Sequence, residues 1–128
     1  METFEEREGS GMVFDKDLTR SMAEPVVLRL VSERPMYGYE IIKQVNERTD
    51  GAFEWKEGTL YPCLHRLEGM GLIKSQWRVS DIGRQRKYYV LTRRGTALLD
   101  NKVSEWSAFS KAVNAVLGGD KKPVEVKS

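Results

Sequence analysis

The apolar periodicity of this chain changes twice along its length, and those changes constrain the fold more than any other feature. Up to about residue 70, apolar residues recur at helical spacing in three stretches separated by breakers. Residues 72–92 are instead rich in Ile, Val, Tyr and Trp, with turn residues between two dense runs. From about residue 94 the helical spacing returns and is sustained to residue 117. Three short helices, a β-hairpin and one long helix is the order that follows.

The first stretch is expected to begin at Asp15 as N-cap, with Leu18, Met22, Val26 and Leu30 at i, i+4 spacing and Val27 and Val31 widening the stripe. Pro25 within it predicts a kink, or a helix that starts close to it. Arg34-Pro35 ends the run, because a residue before proline is pushed out of the α region. A second helix over 38–48 uses Ile41, Ile42 and Val45 and stops at Thr49-Asp50-Gly51, followed by an extended link over 52–56. The third is expected to start near Thr59 as its cap, with Pro62 in the first turn and Leu60, Leu64, Leu67 and Met70 turned inward. Tyr61, Pro62, His65, Arg66 and Gly69 then lie on the outward side. Strands over 72–79 and 86–92 flank a turn-rich connection at 80–85, and Trp55 and Trp77 are expected to pack inside. In the last helix Leu99, Val103, Trp106, Phe109, Val113 and Val116 recur at 4, 3, 3, 4, 3, close to a heptad seam. Gly118-Gly119 ends it. The expected layout is a disordered arm at 1–14, a winged helix at 15–93, a dimerisation helix at 94–118 and a disordered tail at 119–128.

Composition removes most other classes. The chain has 128 residues, one cysteine (Cys63) and one histidine (His65). That excludes an intramolecular disulfide framework and a multi-cysteine zinc site, and Cys63 and His65 at i, i+2 point to different sides of a helix. Cys63 reads as a small buried hydrophobe. Gly69-Met70-Gly71 closes a helix rather than opening one, so it is no nucleotide loop. No serine, histidine and carboxylate arrangement suggests an enzyme, and no metal or cofactor is expected. No apolar run approaches the ~18 residues of a membrane span, and the acidic N-terminal stretch lacks the apolar core of a secretion signal. The cytoplasm is the expected location.

The net charge of +2 hides a gradient. Residues 1–15 carry a formal −4, whereas residues 56–94 hold nine Lys and Arg against three Asp and Glu, a formal +6. A basic stretch that coincides with a third helix and a hairpin suits a polyanion. The helix fits a major groove, and the wing meets the adjacent backbone or minor groove. The candidate DNA contacts are Tyr61, His65 and Arg66 on the third helix, Lys56 and Thr59 at its start, Tyr37 and Tyr39 ahead of the second, and Arg84, Arg86 and Lys87 on the wing. The final seam, Leu99, Val103, Trp106, Val113 and Val116, is too long for so small a domain to bury and calls for a second copy. The fold expected is mainly α with a small β-hairpin: a winged helix-turn-helix followed by a long C-terminal dimerisation helix. A winged-helix dimer used for protein–protein assembly, with no operator, is the alternative.

Three segments carry a family resemblance. Tyr37-Gly38-Tyr39-Glu40-Ile41 resembles the opening of the second helix in the PadR family of bacterial transcriptional regulators. Glu57-Gly58-Thr59-Leu60-Tyr61-Pro62, with Leu64, Arg66-Leu67-Glu68 and Gly71-Leu72-Ile73, resembles its recognition-helix segment. Gly83-Arg84-Gln85-Arg86-Lys87-Tyr88-Tyr89, with Leu91-Thr92 and Gly95, resembles its wing, with Gln85 where the family often has proline. The resemblance covers about residues 16–95 and implies a cytoplasmic homodimer that binds double-stranded DNA at a palindromic operator and usually represses. With one helix after the wing, the chain resembles the short subfamily. Several of its members resemble multidrug sensors that admit flat aromatic ligands between subunits. Trp106, with Phe109 beside it, stands where such members place a tryptophan facing its symmetry mate, which implies a planar aromatic effector.

Overall fold

Asp15 opens the first helix, its carboxylate accepting from the backbone N–H groups of Asp17 and Leu18 at 3.0 and 3.2 Å. In the computed structural model, which describes residues 12–118, this helix is only α1 (Lys16–Ser21), and a second, α2 (Ala23–Glu33), begins after a break at Met22. Pro25 falls in the first turn of α2, where its missing N–H has no intrahelical partner to lose. The break resets the helical phase, and the single stripe expected from Leu18 to Leu30 does not exist. Ala23, Val27, Leu28, Leu30 and Val31 are buried, Leu18 is exposed, and Met22 and Val26 are half-buried. Residues 12–14 also depart from the expected arm. The Phe14 N–H donates to the Ala52 carbonyl at 3.0 Å, and its ring meets Phe53 edge-on at 5.9 Å. The rest of the expected arm, 1–11, and the expected tail, 119–128, lie outside the described residues.

Arg34 is extended ahead of Pro35, which ends α2. There follows a strand the sequence did not announce, β1 (Met36–Tyr37). Two residues are too few to show any alternation. α3 (Gly38–Arg48) has the expected bounds, and the Tyr37 N–H donates back to the Glu40 carboxylate at 3.3 Å. The link that follows is held by Asn46, whose side-chain amide donates to the Trp55 carbonyl and accepts from the Trp55 N–H at 3.0 and 2.8 Å. Trp55 is thereby fixed in the core, as expected.

α4 (Glu57–Gly69) starts two residues earlier than the sequence suggests. Lys56 occupies the N-cap position, so Thr59 lies in the first turn and caps nothing, and Pro62 is the sixth helical residue. Leu60, Cys63, Leu64 and Leu67 are buried, but Met70 is past the helix end and exposed. β2 (Ile73–Val79) and β3 (Gln85–Leu91) pair antiparallel, Ile73 opposite Leu91 and Val79 opposite Gln85. β1 pairs with the other edge of β3, giving the order β1-β3-β2. Trp77 is no packing residue. It is 65% exposed on the outer strand.

α5 (Arg93–Leu117) is capped by Thr92, whose hydroxyl accepts from the Gly95 N–H at 3.0 Å and donates to the Gly71 carbonyl at 2.7 Å. Its first turns join the core through Leu99, which is 3% exposed. Its 25 residues extend about 38 Å, and from Val103 onward the helix stands off the domain.

Candidate nucleic-acid interface

The inward leucines of α4 turn Tyr61, His65 and Arg66 outward. Tyr61 also packs against the start of α3. A Cβ on Gly38 would overlap the Tyr61 hydroxyl and come within 2.8 Å of its Cζ, so glycine there allows the two helices to meet. Tyr37 supports the wing. The Arg86 guanidinium lies 4.3 Å over its ring, and Tyr88 meets it edge-on at 5.3 Å. Tyr39 stacks on Tyr37 at 6.5 Å and is itself exposed.

Two clefts result. One, of about 510 Å³, lies between α4 and the wing and is lined by Tyr39, Tyr61, Trp77, Arg84, Arg86 and Lys87. The wing side of this cleft faces α4, because Ser75 Oγ donates to Glu68 at 2.7 Å and Lys87 Nζ reaches Glu68 at 3.9 Å. The other, of about 430 Å³, opens at the N-terminus of α4, where Lys56 and Thr59 join Lys16 and Arg20. The N-terminal end of a helix carries partial positive charge, so these cations add to an existing field. The structure thus brings Tyr37, Tyr39, Tyr61 and the wing cations together, places Lys56 and Thr59 around the helix start, and leaves His65 exposed on α4, lining neither cleft.

Two candidates have partners within the protomer. Arg66 Nε donates to Glu24 at 2.7 Å, tying α4 to the first turn of α2, while its side chain stays 50% exposed. Leu99 belongs to the protomer core rather than to a free seam. Of the remaining residues expected in the seam, Val103, Trp106 and Val116 are exposed, as is Phe109 beside them, and Val113 is half-buried.

Trp106 and Phe109 lie 6.2 Å apart, centroid to centroid, on one wall of an apolar groove of about 660 Å³. The facing wall is Leu18, Met22 and Val26, the residues the sequence placed in the core. The helix break at Met22 is the signal that was hidden. Trp77 was missed for a related reason, since an apolar residue in a strand is read as inward unless its partner layer is known to be absent. Burial pushes the Cys63 thiol up to about 11, against the lowering influence of Arg66, so it is no nucleophile at neutral pH. Among the described residues no cluster of His, Cys, Asp and Glu could hold a metal, and no helix is long and apolar enough to cross a membrane.

The sequence profile of the transcriptional regulator PadR-like family matches residues 27–101. A transcriptional regulator of Mycobacterium tuberculosis is 31% identical over 104 residues, 81% of this chain and 91% of that protein. The solved structure of a transcriptional regulator from Clostridium thermocellum superposes with a TM-score of 0.73 at 35% identity, covering 80% of this chain and 97% of that one. A PadR family transcription regulator from Clostridium difficile gives 0.68 at 39% identity, with 75% and 98% covered.

Proposed function

Because the chain belongs to the PadR-like family of transcriptional regulators, DNA-binding proteins that are not enzymes, we propose that it acts as a homodimeric repressor. On this reading it sits on a palindromic operator in the cytoplasm and is released by a small planar aromatic molecule. The observation that carries the DNA contact is the shared cleft, which Tyr61 of α4 and the wing cations Arg84, Arg86 and Lys87 line together. With α4 in a major groove, those cations meet the flanking phosphates, which position the protein without reading sequence.

The dimer is supported by α5. Val103, Trp106, Phe109 and Val116 form an apolar strip that the described residues of the protomer leave 44–85% exposed. A two-fold pairing through that strip gives two recognition helices, which a palindrome requires about 34 Å apart. Release is supported by the Trp106 groove. A flat ring stacked on Trp106 gains roughly 0.5–2 kcal/mol per aromatic contact. Such binding becomes a switch only through preference for one spacing of the reading heads, about 1.4 kcal/mol for each tenfold loss of operator affinity.

The test is selection of a 30-base-pair duplex from a random pool by the immobilised protein, followed by anisotropy titrations across a salt series. Affinity should fall steeply with salt, and the Arg84→Ala, Arg86→Ala, Lys87→Ala triple variant should bind every duplex more weakly with a flatter slope. Planar dyes should displace the wild-type protein and fail to displace Trp106→Ala. No selected duplex, or a triple variant with the wild-type slope, sinks the DNA reading. Dye binding that leaves the duplex in place sinks the release mechanism alone.

A further inference from the structure

Trp77 sits on the wing with nothing packed over it. It lies four residues beyond Ile73 on β2, about 13 Å out along the strand. Its cross-strand partner is Lys87, and Ser75 two residues back is paired with Tyr89. Ser75 and Lys87 both contact Glu68 on α4, and Tyr89 is buried beneath them. Side chains alternate along a strand, so Trp77 and Val79 share that α4-facing side. They are 65% and 66% exposed. With α4 as the reading helix, a bound duplex would face that side.

A second copy of this wing is a poor occupant for the patch. Arg84, Arg86 and Lys87 surround it, and like charges would face one another across such a contact. β2 is also an edge strand whose other side carries Lys74 and Arg78, the charges that discourage edge pairing. A polyanion matches those cations, and the minor groove supplies what the indole itself needs. Its walls are deoxyribose, and its floor displays only acceptors at A·T pairs, which an indole N–H can meet. β2 is the outer strand, so Trp77 lies about one strand spacing beyond Lys87. The cations on β3 and the turn then meet the phosphate ridge, and the tryptophan reaches past it.

We propose that Trp77 is an apolar wedge that enters the minor groove beside the major groove occupied by α4, contributing affinity that does not depend on counterion release. This rests on the DNA-binding reading above. A wedge of this kind loosens base stacking and bends the duplex toward the major groove. Its energetic signature differs from that of the wing cations, since removing an uncharged group leaves the number of neutralised phosphates unchanged.

The experiment uses the full chain and the duplex selected from the random pool. Trp77→Ala should lower affinity about tenfold at every salt concentration with the wild-type slope. Trp77→Phe should restore most of the loss. The duplex should protect part of the wild-type tryptophan emission from acrylamide, and that part should be missing in Trp77→Phe. Wild-type affinity in Trp77→Ala, or emission from Trp77 that the bound duplex does not protect, overturns the wedge while leaving DNA binding intact. A flattened salt slope in Trp77→Ala also overturns it, because the residue would then act by placing the cations. A chain that selects no duplex overturns the DNA reading and the wedge together. Because Trp77 is exposed, both variants should melt with the wild type.

Discussion

Gly95→Ala should destabilise the protein severely, and the reason lies at the joint between the wing and α5. Gly95 is the third residue of α5 and is buried against the carbonyl of Leu72. A Cβ there would overlap Leu72 O, and it would stand 3.0 Å from Leu72 C and 2.7 Å from Leu91 Cδ1. The leucine side chain can rotate away, but the backbone carbonyl cannot, because it accepts from the Thr92 N–H at 3.1 Å. α5 must therefore move off β2, and the cap at Thr92 strains with it. Overpacking of this kind costs roughly 1–3 kcal/mol. Weakening the Thr92 hydrogen bond adds about 1 kcal/mol. A total of about 2–4 kcal/mol corresponds to a fall of roughly 8–16 °C in Tm for a domain of this size.

Circular dichroism melts at 222 nm, at fixed protein concentration, measure this directly. Gly69→Ala is the matched control. It is the last helical residue of α4, and an added Cβ would meet nothing within 4 Å, so its effect should be neutral or slightly stabilising. A Gly95→Ala protein that melts within about 2 °C of wild type would refute the argument, because it would mean α5 can slide on the wing without cost.

Glu24→Gln should tighten binding to any duplex at low salt, by severalfold in a filter-binding assay, because it removes the carboxylate charge beside Arg66 and leaves it at most a neutral hydrogen bond. Its cost in stability should stay below about 1 kcal/mol, since the pair is half exposed. Val113→Glu with Val116→Glu should give a monomer by sedimentation at micromolar concentration while leaving the protomer's melt by circular dichroism close to wild type, and a variant that remains dimeric would remove α5 as the seam. Cys63 should resist Ellman's reagent at pH 8 in the native protein and react at once in guanidinium. Its folded-state value of about 11 lies above the ordinary 9.0, so the stability drawn from the neutral thiol is full below pH 9.0 and declines as pH rises toward 11. Urea titrations at pH 8 and pH 10 would show the decline, and equal midpoints would refute it.

The parts of the fold legible in the sequence are those whose signals are local. α3 has the bounds its apolar face and its Thr49-Asp50-Gly51 stop imply, and the row Leu60, Leu64, Leu67 faces inward as its spacing demands. Where the deciding interaction is distant, the reading failed. β1 is two residues long and exists because β3 has a free edge to pair. For Arg66 the sequence hid a partner and not a face, since it is outward as expected and Glu24, 42 residues away, is brought beside it. Leu99 and Val103 look alike in sequence four residues apart, yet the first is 3% exposed in the core and the second 44% exposed. Trp77 shows the same ambiguity in a strand, since hydrophobicity states that a surface wants cover and not which molecule supplies it.

The first turn of α2 is where the two halves of the proposed mechanism meet. Met22, Pro25 and Val26 line the groove under Trp106, and Glu24 in the same turn holds Arg66 on the reading helix. A ring seated in the groove therefore touches a turn that is rigid by Pro25 on one side and bonded to α4 on the other. Adjacency alone is not coupling. Coupling exists only to the extent that ligand and duplex favour different positions of this turn, and by linkage the factor is the same whichever is added first. The pair also sets its direction. While Glu24 holds Arg66, its carboxylate offsets part of the charge that the arginine offers a phosphate. A ligand that strengthens that hold weakens DNA binding, and one that displaces the turn frees the arginine and strengthens it. Comparing the effect of one planar dye on duplex affinity in wild type and in Glu24→Gln separates this route from a change in the crossing of α5, which does not pass through the pair and would survive the substitution.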